Sequence, residues 1–70
     1  MMIYFGERPL GRNMKALRRK RRLSLKKLSE LTGIPYLTLY CLENGTLQDI
    51  SHDHLLRLCQ TLRTTQQTLI

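Results

Sequence analysis

Four consecutive residues in mid-chain, Thr32-Gly33-Ile34-Pro35, constrain the fold more than any other feature. They separate two short helical stretches and leave room only for a tight corner between them. Before the break, Ser24 suits the N-cap of a helix over about Leu25–Thr32, in which Leu25, Leu28 and Leu31 recur at i, i+3 and i+6. Gly33 can take the left-handed conformation that ends a helix. Pro35 suits a place at or just before the next first turn, where a missing N–H costs nothing. The second helix is expected over about Tyr36–Asn44, stopping at Asn44-Gly45.

Packing then assigns the faces. Leu28 and Leu31, Ile34 in the turn, and Leu39 and Leu42 can meet in one small core. That turns Tyr36, Leu37, Thr38, Tyr40, Cys41 and Asn44 outwards or to the margins. Two tyrosines, a leucine and a cysteine within six residues make a poor surface to leave in water, and such a patch usually faces a partner. Two short helices joined this way, the second presented outwards, form the element that fits the major groove of duplex DNA. For Tyr36 and Tyr40 the competing reading is packing against a neighbouring helix.

The flanking chain completes an expected all-α architecture, a small four- or five-helix bundle. Met1–Gly11 reads as an extended arm, because Ile3, Tyr4 and Phe5 have β-type side chains while Gly6, Pro9 and Gly11 disfavour a helix. The arm can lie on the body, pair with a second subunit or be disordered. Asn13 is expected to cap a helix over about Met14–Arg22, with Met14 and Leu17 on one stripe and Leu23 beyond it. A polar loop, Gly45–Ile50, leads to Ser51, the expected cap of a helix over about His52–Leu62. Its apolar face comprises Leu55, Leu56, Leu58, Cys59 and Leu62. Thr64-Thr65 can cap a last turn through Gln66–Ile70. The division expected is an arm, 1–12, and one domain, 13–70.

Charge narrows the partner. The formal net charge is +7, and nine of the 12 basic residues lie between Arg12 and Lys27, five of them consecutive in Arg18–Arg22. The five acids, Glu7, Glu30, Glu43, Asp49 and Asp53, are scattered. This one-sided excess fits a polyanion binder, the alternative being a solvated face. Lys27 stands where Glu or Gln would complete a capping box, and both Lys26 and Lys27 oppose the dipole of their helix. A nearby phosphate would remove that conflict.

Other chemistries find no foothold. Cys41 and Cys59 are too few for a disulfide framework, and no Cys/His spacing suggests zinc. His52 and His54 point in different directions on a helix, so no metal is expected. The absence of paired carboxylates, of a Ser/His/Asp set and of a glycine-rich phosphate loop argues against catalysis, a cofactor or a small-molecule ligand. The apolar start, Met1–Phe5, is interrupted by Gly6, Glu7, Arg8 and Pro9 before it could serve as a signal sequence. With no apolar run near the roughly 20 residues of a membrane span, a cytoplasmic location with free thiols is expected. A domain of this size buries only about 60% of its unfolded surface, which makes a second subunit a natural source of further stability.

The segments Leu23-Ser24, Leu28-Ser29-Glu30-Leu31-Thr32-Gly33-Ile34, Thr38-Leu39 and Leu42-Glu43-Asn44-Gly45 together resemble the Cro/CI-type (XRE) helix-turn-helix family of phage repressors and bacterial regulators. Leu55–Leu62 resembles that family's following helix, and the likeness covers about Asn13–Leu69. It implies a lambda-repressor-like DNA-binding fold. By position it implies base contacts from Tyr36, Leu37, Thr38 and Cys41, and backbone contacts from Leu25, Lys26, Lys27, Tyr40, Asn44 and Thr46. It also implies a structural ion pair between Arg18 and Glu43. The chain departs from the family in having Leu25 where glutamine is frequent, and Tyr36, Leu37 and Cys41 where polar readers are frequent. Arg22 and Arg63 stand where glycine is common. Without amide side chains at the reading positions, thymine methyl contact replaces bidentate adenine readout as the expectation.

The resulting expectation is a sequence-specific double-stranded DNA-binding transcriptional regulator, a repressor, acting as a homodimer through Met1–Gly11 or Thr64–Ile70. Two rival readings are a protein-interaction adaptor or antitoxin-like module using the same face, and a nonspecific nucleic-acid binder.

Overall fold

The computed structural model describes residues 1–70. In chain order the elements are β1 (Met2–Tyr4), α1 (Leu10–Lys20), α2 (Leu25–Thr32), α3 (Tyr36–Asn44), β2 (Asp49–Ser51), α4 (His52–Leu62) and α5 (Gln66–Leu69). One core joins all five helices. Leu10, Met14, Leu28, Ile34, Leu39, Leu42, Leu55, Leu58, Leu62 and Leu69 are fully buried, with Phe5, Ile50 and Cys59 at its edge. The fold is all-α apart from a minor two-stranded ribbon.

Helices α2, α3 and α4 keep the bounds their sequence patterns predict, because each has clear punctuation. Ser24 and Ser51 cap α2 and α4, their hydroxyls accepting from the amides of Lys27 and His54 at 3.0 Å. Thr65 caps α5 in the same way, accepting from Thr68 N at 3.1 Å.

The amino-terminal half departs from expectation. α1 starts at Leu10, ahead of Asn13, with Pro9 as its N-cap, and it runs through Gly11. Gly11 marks a close helix crossing and not a break: a Cβ there would collide with the carbonyl of Leu42 in α3. Asn13 caps nothing. Its side-chain amide donates to the carbonyls of Leu69 (2.9 Å) and Thr68 (3.3 Å), tying α1 to the end of α5. Within the expected loop Gly45–Ile50, the chain becomes extended and pairs antiparallel with the arm, Ile3 opposite Ile50. The arm therefore lies on the body, where Phe5 is buried and Phe5 N donates to Gln48 O at 2.9 Å.

Two leucines expected in the core are outside it. Leu31 is 53% exposed, and Thr32 occupies the buried side of that turn. Angular position explains this: relative to Leu28, Thr32 is rotated by about 40° and Leu31 by about 60° in the opposite sense. Thr32 makes burial tolerable by donating its hydroxyl to Leu28 O (2.8 Å) and accepting from Ile34 N (3.2 Å). Leu56 is also exposed, because Leu55, Leu58, Cys59 and Leu62 already complete an i, i+3, i+4, i+7 stripe.

Candidate nucleic-acid interface

The corner between α2 and α3 is fixed by local chemistry. Gly33 adopts φ 74°, and its amide donates to Ser29 O at 2.9 Å. The Ser29 hydroxyl donates to the carbonyl of Ile34, closing the turn from its other side. Ile34 is fully buried and Pro35 is extended, with ψ 139°, so α3 leaves the turn in one direction. Leu39 and Leu42 anchor it inwards.

What remains on α3 faces out. Tyr36 is 51% exposed, Leu37 68% and Tyr40 50%, while Thr38 and Cys41 are half-buried beside them. No basic residue lies on α3. Its acid, Glu43, is committed: Arg18 of α1 donates Nε to Glu43 Oε2 at 2.8 Å and Nη2 to Oε1 at 3.2 Å. The third arm of the fork, Nη1, holds Leu23 O at 2.8 Å. The hydrogen bond to the Glu43 carboxylate raises the Arg18 pKa above its ordinary value, against the opposing effect of burial. Asn44, at the end of α3, is committed too. Its Oδ1 accepts from Thr46 N at 2.9 Å, and Gly45 follows at φ 84°.

Cations border this face from two sides. At the start of α2, Lys26 and Lys27 are exposed, and Lys27 Nζ reaches Glu30 only at 4.0 Å. The amides of Leu25 and Lys26 find no acceptor within the chain, leaving first-turn donors for an anion. Leu25 offers its backbone alone, because its side chain packs against the core. On the other side, Lys15 of α1 lines a shallow cleft with Tyr40, Glu43 and Asn44. Arg8 and Arg12 line an adjoining groove with Glu43, Asn44 and Gly45.

Lys15 and Arg12 were absent from the contacts the family likeness implies. For Lys15 the signal was nevertheless in the sequence: it precedes Arg18 by three, so if Arg18 meets Glu43, Lys15 is its neighbour on that side of α1, whereas Arg12, about 120° round from Arg18, is placed by the fold. Conversely, the five-cation run is not uniform. Arg18 is held inside, Arg21 donates Nε to Leu62 O at 3.0 Å, and Arg19, Lys20 and Arg22 are exposed. No cluster of three or more metal-ligating side chains forms. Cys59 is buried among apolar side chains, which raises its pKa and keeps the thiol protonated.

Comparison with known proteins gives a consistent picture. Residues 13–70 match the family model of the Cro/C1-type HTH DNA-binding domain. No curated protein matches the sequence. Among solved structures, SinR, the master regulator for biofilm formation, in complex with DNA, is similar with TM-score 0.83 at 25% identity; the match covers 86% of this chain and 98% of that one. The SinR/SinI protein complex contains a chain that matches with TM-score 0.84 at 24% identity, over 87% of this chain and 59% of that one. The restriction-modification controller protein C.AhdI from Aeromonas hydrophila matches with TM-score 0.80 at 24% identity, covering 89% and 92%.

Proposed function

The chain belongs to the family of Cro/C1-type helix-turn-helix DNA-binding domains, and from that premise we propose that it is a sequence-specific transcriptional repressor acting as a homodimer. The observation that carries the reading is the setting of α3. Its outward face lies between the exposed lysines of α2 and the cations of α1. A helix so flanked can enter the major groove while its borders neutralise phosphates on both sides. Tyr36, Leu37, Thr38 and Cys41 then meet base edges. Leu25 and Lys26 through their amides, with Lys27, Tyr40, Asn44 and Thr46, meet the backbone. Arg18 and Glu43 hold α1 and α3 together beneath that surface.

In this reading residues 13–70 form the DNA-binding unit, and segment 1–12 braces it. One unit reaches one half-site, so a two-fold operator with half-site centres one helical turn apart requires two copies. Of the two candidate dimer elements, the carboxyl end spends Leu69 on its own core, while the arm leaves Met2 59% and Tyr4 74% exposed on an edge strand. The arm is the better candidate. No helix is long and apolar enough to cross a membrane, and the proposed place of action is the cytoplasm.

The apolar character of Tyr36, Leu37 and Tyr40 also favours a second reading, an adaptor that holds a protein partner. SinR, which shares the fold, occurs in a complex with SinI. Selection of bound sites from random duplexes, followed by titration of the selected site at two salt concentrations, separates the readings. The proposal expects an inverted repeat bound with steeply salt-dependent affinity. Equal affinity for unrelated duplexes would leave a nonspecific binder, and no DNA binding at low salt would leave the adaptor.

A further inference from the structure

We infer that this domain selects its site by the 5-methyl group of pyrimidines in the major groove, with Leu37 as the principal reader. The inference rests on the DNA-binding reading above and specifies its chemistry.

The argument is one of elimination followed by fit. Strong discrimination between base pairs comes from side chains that present two hydrogen-bonding atoms at once: arginine or lysine on guanine, asparagine or glutamine on adenine, an acid on cytosine. α3 carries no arginine, lysine or glutamine. Its asparagine, Asn44, is the last residue of the helix and closes a turn onto Thr46. Its acid, Glu43, has both oxygens occupied by Arg18, with its side chain only 9% exposed. No bidentate reader is left. The outward surface instead offers hydroxyls and a thiol, each a single hydrogen-bonding centre, together with one aliphatic side chain, Leu37.

Leu37 is the most exposed residue of α3 among its large hydrophobics, at 68%, and it stands in the first turn. Within the major groove only one base feature is apolar, the C5-methyl of thymine, which 5-methylcytosine shares. Covering it removes two apolar surfaces from water at once. Covering one methyl is worth about three- to five-fold in affinity.

The test uses the full chain and the half-site obtained by selection. Each thymine in turn is replaced by deoxyuridine, which removes the methyl and leaves every hydrogen-bonding atom in place. At least one position is expected to lose affinity about three- to five-fold, as one buried methyl requires. At that position, a 5-methylcytosine·guanine pair is expected to bind more tightly than an unmethylated cytosine·guanine pair. In L37A, a surface change that leaves the core intact, the difference between thymine and uracil is expected to shrink towards unity. A selected site whose uracil-substituted forms all bind like the parent overturns the inference and leaves the regulator reading standing. So does a half-site lacking thymine, or an L37A variant with the full uracil penalty. A chain that binds no duplex overturns both.

Discussion

Helices α1 and α3 pack against each other, yet they are built from opposite materials. α1 carries Arg12, Lys15, Arg18, Arg19 and Lys20 over eleven residues, with Leu10, Gly11 and Met14 alone fully inside. α3 has no cation, and its outward residues are aromatic, aliphatic or weakly polar. Under the proposed function, this contrast separates attraction from choice. Charge acts at a distance and is indifferent to sequence, so it can reside on a neighbouring helix. Selection requires contact and belongs on the element that enters the groove. Two links join these parts: the contact of Gly11 with the Leu42 carbonyl, and the Arg18–Glu43 pair.

The largest expected effect comes from breaking the first link. G11A places a methyl group against backbone that cannot move aside as a side chain could. Overpacking of this kind costs about 1–3 kcal/mol and occasionally more, and the upper end is expected here. Chemical denaturation should show a fall of about 3 kcal/mol, despite the better helix propensity of alanine. A variant as stable as the parent would show that the helices can separate freely.

Next comes the ion pair. R18A strands a carboxylate whose side chain is 9% exposed, and it frees the carbonyl of Leu23. A loss of about 2–3 kcal/mol is expected, below the range for fully buried pairs because the site is at the protein edge. Replacing both members, as in R18M/E43L, should recover most of that loss, since no buried charge then remains unpaired. Loss of DNA affinity in R18A without loss of stability would place Arg18 on phosphate instead.

A smaller effect sharpens the division of labour. K15A should weaken binding to selected and unrelated duplexes alike and lower the salt slope by about 1. Its ratio of specific to nonspecific affinity should stay unchanged. L37A should do the reverse, changing that ratio and not the slope. If K15A altered sequence preference, charge and choice would not be separate.

The smallest effect concerns backbone strain away from either helix. Arg63 ends α4 at φ 53°, a left-handed conformation that glycine takes without penalty. R63G should raise stability by up to about 1 kcal/mol, the loss of strain being partly offset by a more flexible unfolded chain. Thermal unfolding reads this directly, and DNA affinity should be little changed.

Legibility followed the strength of local punctuation. α2, α3 and α4 were readable because serine caps, a left-handed glycine and a proline act within a few residues. The outward face of α3 was readable for the same reason: once Leu39 and Leu42 are inside, periodicity leaves Tyr36, Leu37 and Tyr40 outside. Leu31 and Leu56 were misplaced because hydrophobicity alone does not say which of two neighbouring positions points at the core. That Lys15 lies beside Tyr40 and Asn44 was not legible, because it depends on what α1 packs against.

The amino acids by themselves determined the corner at residues 32–35, the two helices it joins, and the excess positive charge, because caps, turns and net charge are properties of short stretches or of plain sums. Tertiary structure decided that Gly11 lies inside a helix, that Asn13 serves α5, that the arm forms a strand against residues 49–51, and that part of the cationic run turns inward. Each of these depends on a partner between 25 and 56 residues away, such as Glu43 for Arg18, Leu42 for Gly11 or Leu69 for Asn13. Glycine and asparagine have locally disruptive tendencies that a distant contact overrules, and no local pattern records that contact.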